Sequence, residues 1–184
     1  MIALYIALGV VGFLLFVWFV FEFNIFIKLK NKVDKELSNM DVFFKKRYDL
    51  IPNLVNTVKG YMKHEQTLIT EVTEARAAAS SSLKGEKRAK AEARLGSAVD
   101  NLFAVSESYP DLKANTVFLD LQAQLGSMEN QIAAAREKYN EVATELNTKR
   151  ESFPASIVAF LMGVKKRTLF KARRKERKNV KVKF

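Results

Sequence analysis

The sequence predicts an all-α protein: an N-terminal transmembrane helix, a cytoplasmic antiparallel four-helix bundle, and a basic amphipathic C-terminal helix and tail. Three observations predict it. The first 21 residues carry no charge, apolar residues recur at helical spacing along four later segments, and turn formers are scarce, with 7 Gly and 3 Pro in 184 residues. Scarcity of turns disfavours a fold of many short strands.

The opening run, MIALYIALGVVGFLLFVWFVF, reaches ~31 Å as a helix at ~1.5 Å per residue, close to the hydrocarbon thickness of a bilayer. It lacks the basic start, short apolar core and small-residue cleavage site of a signal peptide, so residues 1–27 read as a retained anchor. No side-chain cation precedes it, whereas Lys28, Lys30, Lys32 and Lys35 follow, which places the N-terminus outside and the remainder in the cytoplasm. Trp18 and the phenylalanines at 19, 21, 23 and 26 suit the inner interfacial belt. Glu22 either lies in the headgroup zone or pairs with Lys or backbone groups of a neighbouring copy.

Residues 28–152 carry the bundle. Its first helix is marked by Leu29, Val33, Leu37, Met40, Phe44 and Tyr48, and its second by Leu54, Val55, Val58, Tyr61, Met62, Ile69 and Val72. Ala91, Leu95, Ala98, Leu102, Val105 and Tyr109 mark the third. In the fourth, Phe118, Leu125, Ile132, Tyr139, Leu146 and Phe153 recur every seven residues, with Leu121, Met128, Ala135 and Val142 between them, an a/d seam of bundle packing.

Three breaks separate the rods. Asp49 and Pro52 are expected to form a corner between the first two, since a proline inside a helix costs ~3 kcal/mol. A kinked continuous helix is the alternative there. The stretch SSSLKGEK, with Gly85 as helix stop, separates the second and third rods, and Pro110-Asp111 opens the fourth. With three full turns the number of rods is even, and the tail returns to the bilayer. Arg47, Asp49, Asn53, Asp111 and Asn115 are expected near helix ends as caps. Asn115, Gln122, Glu129 and Arg136, spaced by seven, form a column that either fixes helix register or serves as an interface to another subunit or partner.

Residues 153–184 form the tail. Ile157, Phe160, Leu161, Val164, Thr168 and Leu169 give one apolar side of an interfacial helix. The formal charge of +11 resides here: from Lys165 to Phe184 there are eleven Lys/Arg and one acid, so the preceding body is close to neutral. Lys165, Lys166, Arg167, Lys171, Arg173, Arg174, Lys175, Arg177 and Lys178 are expected to meet anionic lipid, at ~1 kcal/mol for each cation near the surface. The alternative is a solvated charge run. Nucleic acid is the rival polyanion, disfavoured because the tail has no reader motif and its basic part, from Lys165 on, has only two aromatics, Phe170 and Phe184.

The residues offer little to chemistry. With no cysteine there is no disulfide, thiolate ligand or Cys nucleophile. His64-Glu65 has no second histidine for a zinc site. Isolated glycines build no phosphate loop, and the carboxylates show no di-iron pattern. Neither an enzyme nor a metal or other cofactor is expected.

Long blocks carry a family resemblance. VDKELSNMDVFFKKRYDLIPNLVNTVKGYMKHEQTLITEVTEARAAA and YPDLKANTVFLDLQAQLGSMENQIAAAREKYN resemble the two signature blocks of the LemA family, and FPASIVAFLMGV its C-terminal Phe-Pro block. The resemblance implies a single-pass protein of the bacterial inner membrane with a cytoplasmic antiparallel four-helix bundle, and it does not imply an enzyme. Magnetosome-membrane relatives hint at membrane organisation. Where the family continues with Gly-Phe and Phe-Phe, this chain has Gly163-Val164 and Leu169-Phe170, then a basic extension. The function expected is a scaffold that oligomerises on the cytoplasmic leaflet and organises or remodels it. The alternative is a tethered adaptor that recruits a protein partner, such as a protease or signalling complex.

Overall fold

A computed structural model describes residues 1–81 and 85–170, without the side chains of residues 85 and 86. Among the described residues the chain is all-helical, with no strand. The helices are α1 (Ile2–Lys59), α2 (Gln66–Ser81), α3 (Gly85–Ser106), α4 (Pro110–Lys113), α5 (Thr116–Glu151) and α6 (Ala155–Leu161). The described chain has one helix long and apolar enough to cross a membrane, α1, whose most apolar window has a mean hydropathy of 2.6 and none of it buried.

The chain divides into two compact units. The first comprises Met1–Ser38 with Glu137–Leu169, and the second is built on Asn39–Arg136. Each has its own packing.

The second unit corrects the expected corner at Asp49–Pro52: α1 runs through Pro52 without interruption to Lys59. Proline lacks the amide that would bond the carbonyl four residues back, that of Tyr48. Arg76 of α2 replaces it, donating from Nε to the Tyr48 oxygen at 2.7 Å. With its acceptor satisfied, the backbone has no need to turn. The turn lies instead at residues 60–65, after Gly60, where the Tyr61 and Met62 amides both close on the Val58 carbonyl at 3.0 and 2.9 Å. Asp49 and Asn53, expected as end caps, are exposed mid-helix residues.

The core of this unit is formed by Ile51, Leu54 and Val58 of α1, Ile69 and Val72 of α2, Leu95, Ala98 and Leu102 of α3, and Phe118, Leu121 and Leu125 of α5, with Leu112 of α4. Gly85, expected to stop a helix, opens α3 instead. Pro110 begins α4 as expected, with Asp111 in its first turn, but that helix is a single turn. Asn115 then starts α5: its Oδ1 accepts the Phe118 amide at 3.0 Å, which satisfies one of the free donors of the first turn.

In the first unit, α1 and α5 run antiparallel, since Glu22 bonds Lys149 while Lys32 bonds Glu145. Here the heptad seam of α5 is buried at Tyr139 and Leu146, and Phe153 breaks it. Because α5 ends at Glu151, Phe153 has left the helix and is 82% exposed.

Candidate membrane-interface site

The apolar run of α1 ends at Glu22, a buried carboxylate. Its partner belongs to the same chain: Lys149 Nζ donates to Glu22 at 2.9 Å. The pairing with a neighbouring copy weighed from sequence is replaced by this internal pair. A charge buried beside so apolar a run is costly unless paired, and the pair ties α5 to the end of that run.

Helix α6 follows. Its Ala155, Val158 and Ala159 are buried, so the opposite side faces outward. There Ile157, Phe160 and Leu161 are exposed, Phe160 at 85%, with Phe153 just ahead of them. The helical spacing of Ile157, Phe160 and Leu161 puts them on the side of α6 away from its buried residues, and Phe153 adds a fourth exposed apolar side chain beside the start of the helix.

The expected interfacial helix through Leu169 is corrected. Helix α6 ends at Leu161, because Gly163 adopts a left-handed backbone (φ 62°) that side-chain-bearing residues rarely take. Its amide bonds Phe160 O at 3.0 Å and the Val164 amide bonds Ala159 O at 3.0 Å, the paired closure of a Schellman motif.

From Val164 the chain runs back along α5 without secondary structure, held by side chains. Arg150 Nε donates to Val164 O at 2.8 Å. Asn147 holds both backbone groups of Arg167: its Oδ1 accepts the amide and its Nδ2 donates to the carbonyl, each at 2.8 Å. Tyr139 OH donates to Thr168 O at 3.1 Å. From Arg150 to Tyr139 is eleven positions, so the segment retreats ~16 Å from the α6 end.

The cations expected at lipid therefore separate. Lys165 is exposed, Lys166 bonds Glu151 of α5 at 2.9 Å, and Arg167 bonds Asp34 of α1 at 3.0 Å. The Lys166 bond holds the Glu151 carboxyl below its usual range. Trp18 is half-buried on α1. Lys171, Arg173, Arg174, Lys175, Arg177 and Lys178 lie outside the described residues.

The second unit holds a buried polar cluster that sequence reasoning missed. Glu92 on α3 is fully buried and accepts from Arg47 and from the Tyr48 hydroxyl, both of α1. Arg47, expected as an end cap, is mid-helix and 3% exposed, and also bonds Glu129 at 2.9 Å. The guanidinium groups of Arg47, Arg88 and Arg136 lie 5.7, 4.7 and 5.8 Å from the Phe44 ring centre. Burial first, and then the bond to Glu92, push the Tyr48 phenol well above its ordinary value. The signal was register: Arg88 and Glu92 precede Leu95 and Leu102 on the same buried stripe of α3.

Three members of the seven-spaced column have intrachain partners in this unit. Asn115 donates to Tyr61 OH at 3.0 Å, Glu129 bonds Arg47, and Arg136 lies over Phe44. Gln122 is half-buried.

The LemA family profile matches residues 36–184. Magnetosome protein MamQ 2 of Paramagnetospirillum magneticum is 24% identical over 175 residues, which cover 81% of this chain and 64% of that protein. The chain thus spans a little under two thirds of that relative's length. Protein LemA of Metamycoplasma hominis is 26% identical, covering 85% of this chain and 72% of its own length. Magnetosome protein MamQ of Magnetospirillum gryphiswaldense is 22% identical, covering 90% and 71%. None of these names states a reaction, and an apolar N-terminal helix together with such relatives is consistent with a membrane protein. The profile match takes in α2 to α6 complete, and the chain belongs to the LemA family.

Proposed function

We propose that this protein is a non-enzymatic membrane scaffold, anchored by the apolar part of α1 and seated in the cytoplasmic leaflet by α6. The observation that carries the reading is the set of exposed apolar side chains on and beside α6, Phe153, Ile157, Phe160 and Leu161, in the same unit as the anchor. Burying a large apolar side chain is worth ~1.5–3 kcal/mol, so four of them favour lipid over water strongly. The cations from Lys28 to Lys35 support a cytoplasmic location for everything after the anchor.

The helices α1, α2, α3 and α5 read as an antiparallel four-helix bundle. The moved turn at residues 60–65 keeps the number of rods even, and the antiparallel pairs Glu22–Lys149 and Lys32–Glu145 accord with α5 returning to the anchor. A helical body attached through a span and a leaflet wedge, repeated in side-by-side copies, organises or bends the leaflet it occupies. The magnetosome names of two relatives agree with a membrane-organising role.

The chain has no cysteine, so single-cysteine labelling needs no background removal. In phosphatidylglycerol-containing vesicles, a fluorophore on Phe160→Cys should be quenched by lipids spin-labelled near the headgroup. A fluorophore on Gln124→Cys, at an exposed position of α5, should not. Equal, weak quenching at both sites would remove α6 from the membrane and the scaffold reading with it.

A further inference from the structure

A groove of about 450 Å³ lies in the first unit between α1, α5 and the return segment after Gly163. Its walls include Phe23 and Phe26 of α1 and Leu146 of α5, and its cations are Lys30, Lys165 and Arg167. We infer that this groove is a binding site for one anionic phospholipid, with phosphate at the three cations and the upper acyl chain against Phe23 and Ile27. The inference rests on the membrane-anchored reading above and deepens it from a surface to a single bound molecule.

Three features point to lipid. The first is composition: the lining combines apolar side chains with three cations, the two chemistries of a phospholipid at the glycerol level. A free phosphate ion would have no use for the apolar wall. The second is charge. Arg167 is matched by Asp34, whereas Lys30 and Lys165 form no ion pair among the described residues, so the site carries net positive charge. The third is position. Phe23 and Ile27, both partly exposed, follow the apolar run of α1, so the wall continues the exposed apolar surface of the anchor, where basic pockets meet lipid headgroups.

The groove is also built rather than incidental. Its outer wall is non-helical backbone, yet Asn147 and Arg150 fix it to α5 at Arg167 and Val164 with bonds of 2.8 Å. The volume lies within the ~300–1,000 Å³ of ordinary ligand pockets, enough for a headgroup and the top of one chain.

The test uses the full chain in detergent micelles, stripped of lipid and then titrated with phosphatidylglycerol or phosphatidylcholine, and read by native mass spectrometry. One phosphatidylglycerol should be retained, phosphatidylcholine much less, and inorganic phosphate should not displace the lipid. Both lysines are exposed, so Lys30→Gln with Lys165→Gln should keep the fold and lower phosphatidylglycerol retention by roughly tenfold or more. Ile27→Trp, which fills the groove from its rim, should lower retention without touching a cation. Equal retention of both lipids, unchanged retention in the lysine variant, or displacement by inorganic phosphate would overturn the site. Vesicle flotation of the same samples separates the two readings. A chain that floats but retains no phosphatidylglycerol loses only the groove, whereas one that fails to float loses the anchor as well.

Discussion

Arg76 decides whether α1 can pass through Pro52. The Tyr48 carbonyl has lost its helical donor to the proline ring, and Arg76 Nε supplies the replacement at 2.7 Å in a part-buried setting. A bond from a charged donor is worth ~1.5–3 kcal/mol net, and an orphaned buried acceptor costs a similar amount. Arg76→Ala should therefore destabilise the chain by ~1.5–3 kcal/mol, a fall of ~3–12 °C in melting temperature for a protein of this size. Pro52→Ala restores a backbone amide at position 52, which can close on Tyr48 in the ordinary way. In that background Arg76→Ala should cost less than ~1 kcal/mol, since only the packing of the arginine stem is lost. The four chains form a double-mutant cycle, read by far-ultraviolet circular dichroism during thermal melting in detergent. Equal costs for Arg76→Ala with and without Pro52 would refute the argument, because the arginine would then not be standing in for the missing amide.

Glu92→Leu leaves the buried Arg47 with Glu129 as its remaining carboxylate and should cost ~1–3 kcal/mol, whereas adding Arg47→Met should recover part of the loss, as judged by denaturant midpoints. The raised phenol of Tyr48 has a defined sign. The neutral form is favoured in the folded state, so its stabilisation is complete below pH ~10 and is lost as pH rises from there through the higher folded value. Tyr48→Phe should therefore flatten the alkaline fall in melting temperature, measured from pH ~9 upward; an unchanged slope would assign that fall to other groups.

The parts legible in sequence were those set by local pattern. An uncharged run of 21 residues is unambiguous as an apolar helix, and the heptad of α5 placed Phe118, Leu125, Ile132, Tyr139 and Leu146 in the core correctly. Phe153 continued the same arithmetic but lay beyond the helix end, where periodicity has no meaning. Pro52 misled because its compensation comes from Arg76, 24 residues away on another helix, and a local proline rule cannot see it. The amphipathic tail misled for the opposite reason: Gly163 offered a local stop signal, but the apolar pattern from Ile157 to Leu169 outweighed it. Arg88 and Glu92 occupy the buried register of α3, where their ion pairs let charge tolerate burial far better than a lone charge would, and apolar periodicity does not mark such positions.

The segment after Gly163 shows why the site had to be read from contacts. Backbone without secondary structure must find partners for its amides and carbonyls, and the demand sharpens where water thins at a membrane interface. Here the partners are side chains of α5: Arg150 for Val164, Asn147 for Arg167 and Tyr139 for Thr168. These three residues span eleven positions of one helix, so they fix the path of the return segment as well as its bonding. That path sets Lys165 and Arg167 beside Lys30, which the sequence places 135 or more residues earlier. A polybasic tail acting by charge alone would need no such fastening, because smeared attraction to anionic lipid is indifferent to backbone conformation. Fastening the backbone gives the cations a fixed geometry, and fixed geometry matters when the ligand is one molecule.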